Sequence, residues 1–156
     1  MAAIKTNAMR ILDAKKIKYK HYEYDPETTD GVKVAELLHE PREIVFKTLV
    51  TVAPSKINYV FVIPVGESLD LKKAAKTVSE KSVAMIKQKE LLPLTGYIHG
   101  GCSPVGMKKQ FKTFIHESAR DIDTFCISAG HVGNQIQVSV NDIAELIGAG
   151  FADLIC

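Results

Sequence analysis

The residues best suited to chemistry stand in a glycine-rich stretch between positions 96 and 109. It reads Gly-Tyr-Ile-His-Gly-Gly-Cys-Ser-Pro-Val-Gly-Met-Lys-Lys. Gly100 and Gly101 lack side chains that would keep a ligand away, so their backbone N–H groups can bind an anion or a polarised carbonyl. A tight connection between strands is the simpler alternative. The spacing fits neither Walker A nor Gly-x-Gly-x-x-Gly, which argues against nucleotide-phosphate loops of those two kinds.

Lys47 is a second candidate because it interrupts an apolar, β-branched stretch at positions 44–52. A buried ammonium group costs free energy unless it meets a partner or a cavity. The side chain therefore either faces a pocket or extends from a sheet edge into solvent. Thr48 and Ser128 can supply hydroxyl groups, although such residues commonly satisfy turn hydrogen bonds. A tyrosine such as Tyr24 is likewise more often a core residue than a site residue.

A thiol mechanism has a weaker basis. His99 and Cys102 lie three residues apart in the glycine-rich loop, which would suit a thiolate nucleophile with a histidine base. The sequence shows no third group to orient the histidine, and a tight loop also favours a small residue at position 102. The spacing of the other histidines is not typical of a metal site, so the sequence indicates neither a metal nor another cofactor. These are His21, His39, His116 and His131.

Length and composition bound the remaining possibilities. At 156 residues, without a linker-like stretch, the chain is expected to form one domain spanning 1–156. Apolar residues make up 46% and charged residues 24%, as in soluble globular proteins. No apolar run approaches the roughly 20 residues of a membrane span, and positions 1–10 lack a signal-peptide core, so we expect a cytoplasmic protein. Cys102, Cys126 and Cys156 are widely spread and are expected to be reduced thiols.

The hydrophobic pattern predicts which elements position these residues. Apolar residues at helical spacing predict helices at 4–16, 30–38, 70–78 and 141–147, with a helical turn at 89–92. Strands are predicted at 17–24, 44–52, 58–65, 82–86, 111–115, 124–128 and 135–140. The second and third strands are expected to form an antiparallel pair. This order predicts an α+β domain with a mixed, curled or barrel-like sheet and about four helices.

Helix ends and charge add further predictions. Asp70 is expected to cap its helix, and either Asn141 or Asp142 to cap the last one, which ends at Gly148. The net charge is only +2, so any basic surface must be local. The helix after Asp70 presents such a surface, although a solvated helix face is the simpler interpretation. Its lysines are Lys72, Lys73 and Lys76.

Five spaced motifs together resemble the YbaK/EbsC family, most closely its Cys-tRNA(Pro) deacylase branch, in order along nearly the whole chain. The motifs are Lys5-Thr6-Asn7-Ala8 with Arg10 and Leu12, Val45-Phe46-Lys47-Thr48-Leu49, Leu69-Asp70-Leu71-Lys72-Lys73-Ala74-Ala75-Lys76, Gly96-Tyr97 through Gly100-Gly101 to Ser103-Pro104-Gly106-Lys108-Lys109, and Ser128-Ala129-Gly130 with Gly133.

The resemblance implies a trans-acting editing domain, related to the insertion domain of bacterial prolyl-tRNA synthetase, that removes cysteine wrongly attached to proline tRNA. Cysteine and proline are close in size, so the synthetase pocket cannot reject cysteine strongly. The implied partners are aminoacyl-tRNA and, in a transient complex, prolyl-tRNA synthetase. The resemblance also implies substrate-assisted chemistry, in which the substrate thiol attacks its own ester and leaves as a thiolactone. The lack of a convincing protein nucleophile agrees with this.

The resemblance also implies roles for individual residues. Lys47 would anchor the tRNA end, and Gly101 would contribute backbone contacts, so we expect these two to be catalytic. The expected substrate-binding residues are Tyr24, Asp30, Thr48, Gly100, Ser128, Gly130 and Gln135. The expected tRNA-binding residues are Lys72, Lys73, Lys76, Lys108 and Lys109.

Two positions depart from the family pattern. Cys102 stands where relatives often have an apolar residue, and Gln135 stands where some carry an acid. Three alternatives therefore stay open at this stage. The chain could be a tRNA- or synthetase-binding module without catalysis, a deacylase of other specificity such as Ala-tRNA(Pro), or a thiol-dependent hydrolase.

Overall fold

The computed structural model describes residues 5–25 and 30–156. These residues form five α-helices and eight β-strands, which confirms the α+β prediction. The helices are α1 Asn7–Ala14, α2 Gly31–Leu38, α3 Leu71–Thr77, α4 Gln88–Thr95 and α5 Val140–Ile147. The strands are β1 Tyr19–Glu23, β2 Phe46–Val52, β3 Asn58–Pro64, β4 Ala84–Met85, β5 Lys112–His116, β6 Thr124–Ser128, β7 Asn134–Ser139 and β8 Gly150–Ala152.

The strands form two sheets that meet at β2. One sheet has the antiparallel order β1-β7-β6, and the other has the mixed order β4-β2-β3-β5-β8. β2 and β3 are antiparallel, as predicted, whereas β3, β5 and β8 run parallel to one another. A single parallel bridge from Val45 to Cys126 joins the two sheets. The five-stranded sheet is therefore mixed, as predicted.

Alternation along β2 places its side chains in separate apolar clusters. Phe46 and Val50 lie in the largest core, which includes α1, α5 and the inner faces of β6 and β7. The opposite face of the β2–β3 pair is covered by two helices. Val45 and Val65 pack with α2, in what we call the α2 cluster, while Leu49 and Ile63 pack with α3, in the α3 cluster. Lys47 lies on this second face, between the two clusters.

The structure differs from the predicted elements in three places. The predicted helical turn at 89–92 is the complete helix α4, because Gln88–Thr95 stays helical around the internal Pro93. This gives five helices where about four were expected. The cap of α5 is Ser139, whose Oγ accepts from the Asp142 N–H, and not Asn141 or Asp142. β8 has three residues, too few for a period-2 pattern, and was not predicted.

Other predicted boundaries hold closely. Asp70 caps α3 by accepting from the N–H groups of Lys72 and Lys73, and Gly148 ends α5 in the left-handed conformation. α1 is shorter than the predicted segment, and Ile4 lies outside the described residues. No helix in the described part of the chain is long and apolar enough to cross a membrane.

Candidate active site

A cavity of about 150 Å³ opens beside β2, at the edge where that strand has no partner. β3 pairs with β2 along its whole length. Within residues 5–25 and 30–156, the opposite edge is paired only at its ends, through the Val45–Cys126 bridge and through Thr51 and Val52 with β4. Residues 46–49 lie between these contacts, and all four line the cavity. The cavity therefore lies at a gap in the strand pairing of β2.

Thr48 presents its backbone to this gap. The N–H of Val65 donates to the carbonyl of Val45 at 2.9 Å. Hydrogen-bonding direction alternates along an antiparallel strand, so odd-numbered residues of β2 bond to β3 and even-numbered ones face the other edge. The carbonyl of Val50 obeys this rule, since it accepts from Ile86 of the β4 segment. The N–H and C=O of Thr48 consequently face the gap.

Lys47 lines the cavity from the helix-covered face of β2. Its position between the α2 and α3 clusters leaves the ammonium partly buried. Burial lowers the pKa of Lys47, while the negative charges of Asp30 and Glu67 act in the opposite direction. Lys47 makes no ion pair with a residue in the described ranges. A partly buried cation without a fixed partner is a group that can receive an anionic ligand.

Polar side chains of β6 and β7 also line the cavity. Ser128 and Gln135 are paired in register, and their exposed fractions are 8% and 7%. The Ser128 Oγ accepts from the N–H of Gly130 at 3.1 Å. Gln135 Oε1 is buried without a hydrogen-bond partner among the described residues, and so is Thr48 Oγ1. A ligand that donates hydrogen bonds would satisfy these oxygens.

Tyr24 and the start of α2 complete the lining on another side. The N–H of Tyr24 donates to the Gly133 carbonyl at 2.9 Å, which ties the end of β1 to the β6–β7 turn. Asp30 caps α2 through the Val32 N–H. A Cβ on Gly31 would stand 2.6 Å from the Cβ of Val65, so only glycine lets α2 approach β3 this closely.

The glycine-rich loop supplies the side of the cavity nearest α4. Gly100 lines it with φ +85°, and its N–H has no hydrogen-bond partner within the described residues. The N–H of Gly101 is already used, because it donates to the Ile98 carbonyl at 3.0 Å. Gly101 is not in the lining. A Cβ there would stand 3.0 Å from the backbone nitrogen of Val132, so this glycine allows the loop to pack against the β6–β7 turn.

Cys102 lines the cavity but lacks the features of a nucleophile. Burial raises the pKa of its thiol to about 12, although the neighbouring Thr95 hydroxyl acts in the opposite direction. His99 is exposed and makes no hydrogen bond to Cys102. The thiol is therefore protonated at neutral pH and has no adjacent base. All three cysteines are free, as expected, with only Cys156 exposed.

Six of the nine predicted catalytic and substrate-binding residues line this one cavity: Tyr24, Lys47, Thr48, Gly100, Ser128 and Gln135. Asp30, Gly101 and Gly130 stand outside the lining. Gly130 has φ +97°, and a Cβ there would lie 2.8 Å from the ring of Tyr97, so it makes room for that ring. Gly31, Val34 and Leu91 also line the cavity but were not predicted. Val34 and Leu91 have apolar side chains and Gly31 has none, so nothing in their chemistry indicated a site.

The matched sequence family decides the class of protein. A family model described as "Aminoacyl-tRNA editing domain" matches residues 25–146, which is most of the chain. The chain belongs to this editing family. The matched range contains Lys47, the glycine-rich loop, Ser128 and Gln135, and every lining residue of the cavity except Tyr24. The resemblance to the family is thereby confirmed, with four of the five motifs inside the matched range and the first, at positions 5–12, before it.

Individual members and structures agree. EbsC of Enterococcus faecalis (strain ATCC 700802 / V583), named as a candidate Cys-tRNA(Pro)/Cys-tRNA(Cys) deacylase, is 43% identical over 152 residues, covering 96% of this chain and 93% of EbsC. A crystal structure of a candidate trans-editing enzyme for prolyl-tRNA synthetase superposes with a TM-score of 0.84 at 22% identity, covering 99% of both chains. The hypothetical protein APE2540 gives a TM-score of 0.85 at 21% identity, covering 93% of this chain and 96% of its own. These two structures show that the editing fold is shared.

The lysines expected to contact tRNA differ in their availability. Lys73 is paired with Asp153 at 2.9 Å and also donates to the Ile155 carbonyl at 2.8 Å. The others are exposed: Lys72, Lys76, Lys108 and Lys109.

A second basic surface was not predicted from the sequence. Lys16, Lys18 and Lys20 line an open groove beside Gln137 of β7, on the sheet face that carries Gln135. Four lysines at positions 15, 16, 18 and 20 are the sequence signal that would have revealed it.

Proposed function

We propose that this protein is a trans-acting deacylase that removes cysteine from mischarged Cys-tRNA(Pro), with the whole chain 1–156 acting as one editing domain in the cytoplasm. The observation that carries the proposal is the content of the 150 Å³ cavity. It combines a cation and two buried oxygens, none of them with a fixed partner among the described residues, and a thiol that is not ionised at neutral pH. Such a site can bind and polarise an aminoacyl ester but has no evident attacking group.

The size of the cavity supports an aminoacyl group as its occupant. A volume of 150 Å³ corresponds to roughly five water molecules. This suffices for one small amino acid and excludes a nucleoside. The terminal adenosine must then lie outside, where the exposed side chain of Ile98 precedes the lining residues His99 and Gly100 along the rim.

The α-ammonium group of the substrate would meet the unsatisfied oxygens. An ammonium donates three hydrogen bonds and accepts none. Gln135 Oε1 and Thr48 Oγ1 can each accept one of them. Gln135 is neutral where some relatives carry an acid, so it would orient the ammonium without adding a full negative charge.

The attacking group would come from the substrate itself. The cysteinyl thiolate attacks the ester carbonyl carbon, and a carbon–sulfur bond forms. The bond from that carbon to the ribose oxygen then breaks, so the tRNA leaves with its hydroxyl after taking up a proton from water. The product is a thiolactone whose ring contains sulfur, Cβ, Cα and the carbonyl carbon. An ordinary thiol with a pKa of about 8.5 supplies enough thiolate near neutral pH.

Backbone donors on two sides of the cavity would stabilise the oxyanion. The N–H of Gly100 is without a partner in the described part of the chain, and the N–H of Thr48 faces the gap in strand pairing. Donors held in place by a loop and a strand do not reorganise during the reaction, which is the basis of oxyanion stabilisation. Lys47 would hold the terminal phosphate or ribose of the acceptor end.

Release of radiolabelled amino acid from tRNA(Pro) charged with cysteine, serine or alanine tests the proposal. The protein should accelerate the loss of cysteine from tRNA(Pro) at least roughly tenfold more than the loss of serine or alanine. The released cysteine should be trapped as a thiolactone. If Ala-tRNA(Pro) were cleaved as fast as Cys-tRNA(Pro), and Cys-tRNA(Pro) gave free cysteine directly, the attacking group would be an activated water. tRNA binding without any cleavage would indicate a non-catalytic module.

Because the mischarged tRNA is released by prolyl-tRNA synthetase, we also propose that the two proteins meet transiently. Cross-linking in the presence and absence of tRNA(Pro) would measure this, and we expect a tRNA-dependent adduct.

A further inference from the structure

A second cavity of about 260 Å³ lies at the carboxyl ends of β3 and β5. Its volume corresponds to roughly nine water molecules, which is enough for one pyrimidine ring. Ile122 and Ile155 supply apolar walls, and the polar groups are Arg42, His116 and Ser118 with the carboxylates Glu43 and Glu67. None of these residues is used in the proposed deacylation.

Two polar groups in this lining, of which the Ser118 hydroxyl is fully buried, lack a hydrogen-bond partner among the described residues. The Nδ1 of His116 accepts from the Leu154 N–H at 3.2 Å, so in the neutral imidazole the proton is on Nε2, which is a donor. Only 5% of His116 is exposed, and its Nε2 makes no hydrogen bond to a described residue. The Oγ of Ser118 is buried and is likewise without a partner in the described ranges. Both groups are available to a ligand.

The charges around this cavity select against an anion. Arg42 contributes one positive charge, whereas Glu43 and Glu67 contribute two negative ones. A bound phosphate would be attracted by one cation and repelled by two carboxylates. The lining instead offers donors beside acceptors, and a neutral ligand with both kinds of group satisfies it. Cytosine has this pattern, because its N4 amino group donates to carboxylates while its ring nitrogen and carbonyl oxygen accept.

The two cavities are adjacent along the chain. Val65 lines the first, and its neighbour Gly66 lines the second. Glu67 lines the second cavity and also acts electrostatically on Lys47 in the first. A ligand that spans both would need one group for each cavity and a short linkage between them, as an aminoacyl group and the base of the preceding nucleotide have at the end of a single strand.

We propose that the second cavity binds the base of the cytidine that precedes the terminal adenosine of tRNA, and this rests on the proposed function. Every tRNA ends in C-C-A, so the cavity would position the ester and would not choose among tRNAs. Single-stranded RNA is commonly recognised by hydrogen bonds to the edges of unstacked bases in this way.

Changing the penultimate cytidine of Cys-tRNA(Pro) to uridine tests the proposal. Uridine replaces the amino donor with an acceptor, so kcat/KM of the unmodified protein should fall roughly tenfold. Ser118→Ala removes an oxygen that has no protein partner, so the melting temperature should stay unchanged while the cytidine preference shrinks. Glu43→Gln should also reduce the preference, because the amide can donate to uridine. Ser82→Ala, at an exposed serine, is the matched control and should leave the preference intact.

A binding measurement separates this proposal from the deacylase proposal. Fluorescence anisotropy with short labelled RNAs ending in C-C-A or C-U-A needs no ester. A preference for C-C-A that Ser118→Ala abolishes would support the cavity assignment even if no deacylation were found. Equal affinities, or a preference unaffected by Ser118→Ala, would overturn it. Competition by inorganic phosphate without base preference would overturn it as well, and would identify an anion site.

Discussion

Thr48 and Gln135 line the same cavity from two different sheets, and neither Thr48 Oγ1 nor Gln135 Oε1 has a hydrogen-bond partner among the described residues. If they receive the substrate ammonium, Gln135→Met should raise KM for Cys-tRNA(Pro) roughly tenfold. The same variant should be as stable as the parent, because the substitution removes no hydrogen bond within the protein. Steady-state kinetics and thermal melting measure the two effects.

N-acetyl-Cys-tRNA(Pro) is the control for that experiment. It lacks the ammonium, so Gln135→Met and the parent protein should process it equally. A tenfold difference on the acetylated substrate would show that Gln135 acts on something other than the amine.

Lys47→Met should lower kcat/KM by roughly 100-fold or more, since it removes the cation proposed to hold the acceptor end. Lys89→Met, at an exposed lysine of α4, should have little effect on activity. Deacylation and circular dichroism on both variants check this. If activity fell only in proportion to the decrease in folded protein, Lys47 would be structural.

The pH dependence of stability gives a separate test of Lys47. Burial lowers its pKa below the ordinary 10.5, so between the folded-state pKa and 10.5 the unfolded chain binds more protons. Stability therefore rises with pH through that window, and below it the charged lysine destabilises the fold. Lys47→Met should be as stable as the parent or more stable at pH 7, with the difference shrinking toward pH 10.5. Urea titrations at several pH values measure this.

Cys102→Ala should retain activity within roughly threefold. With a thiol pKa of about 12, on the order of one in 10,000 of these thiols is ionised at pH 8. Removal of the buried sulfur should cost about 1 kcal/mol of stability. Complete loss of deacylation in a folded Cys102→Ala protein would restore the thiol mechanism.

The salt dependence of tRNA binding distinguishes the two basic surfaces. Replacing Lys72 and Lys76 of α3 by glutamine should lower the slope of log K against log salt by roughly one for each phosphate contact that is lost. The same replacement of Lys16 and Lys18 gives the comparison for the groove beside β7. Lys73 is left intact because it is held by Asp153. An unchanged slope for the α3 pair, with a reduced slope for the other, would move the tRNA to the groove beside β7.

Much of the fold could be predicted because its signals are local. Alternation and apolar runs identified β2, β3 and β6, the caps identified α2 and α3, and a charged residue within an apolar strand identified Lys47. Where the local signal failed, the element was short or interrupted: β8 has three residues, and α4 contains Pro93. Ser139 caps α5 because it is the last residue of β7 and the helix begins directly after it. The sequence did not single it out, because Asn141 and Asp142 close by are also residues that commonly cap helices.

The sequence by itself determined the class of fold, the family and the residue types of the site. Only the tertiary structure decided that these residues share one cavity, because the gap beside β2 depends on which strands distant in sequence bridge Val45 and Val52. It also decided that Cys102 is buried and protonated, and that the N–H of Gly101 is used within the loop whereas that of Gly100 has no partner among the described residues. Burial and hydrogen-bond partnership are set by neighbours from elsewhere in the chain, so no local pattern encodes them.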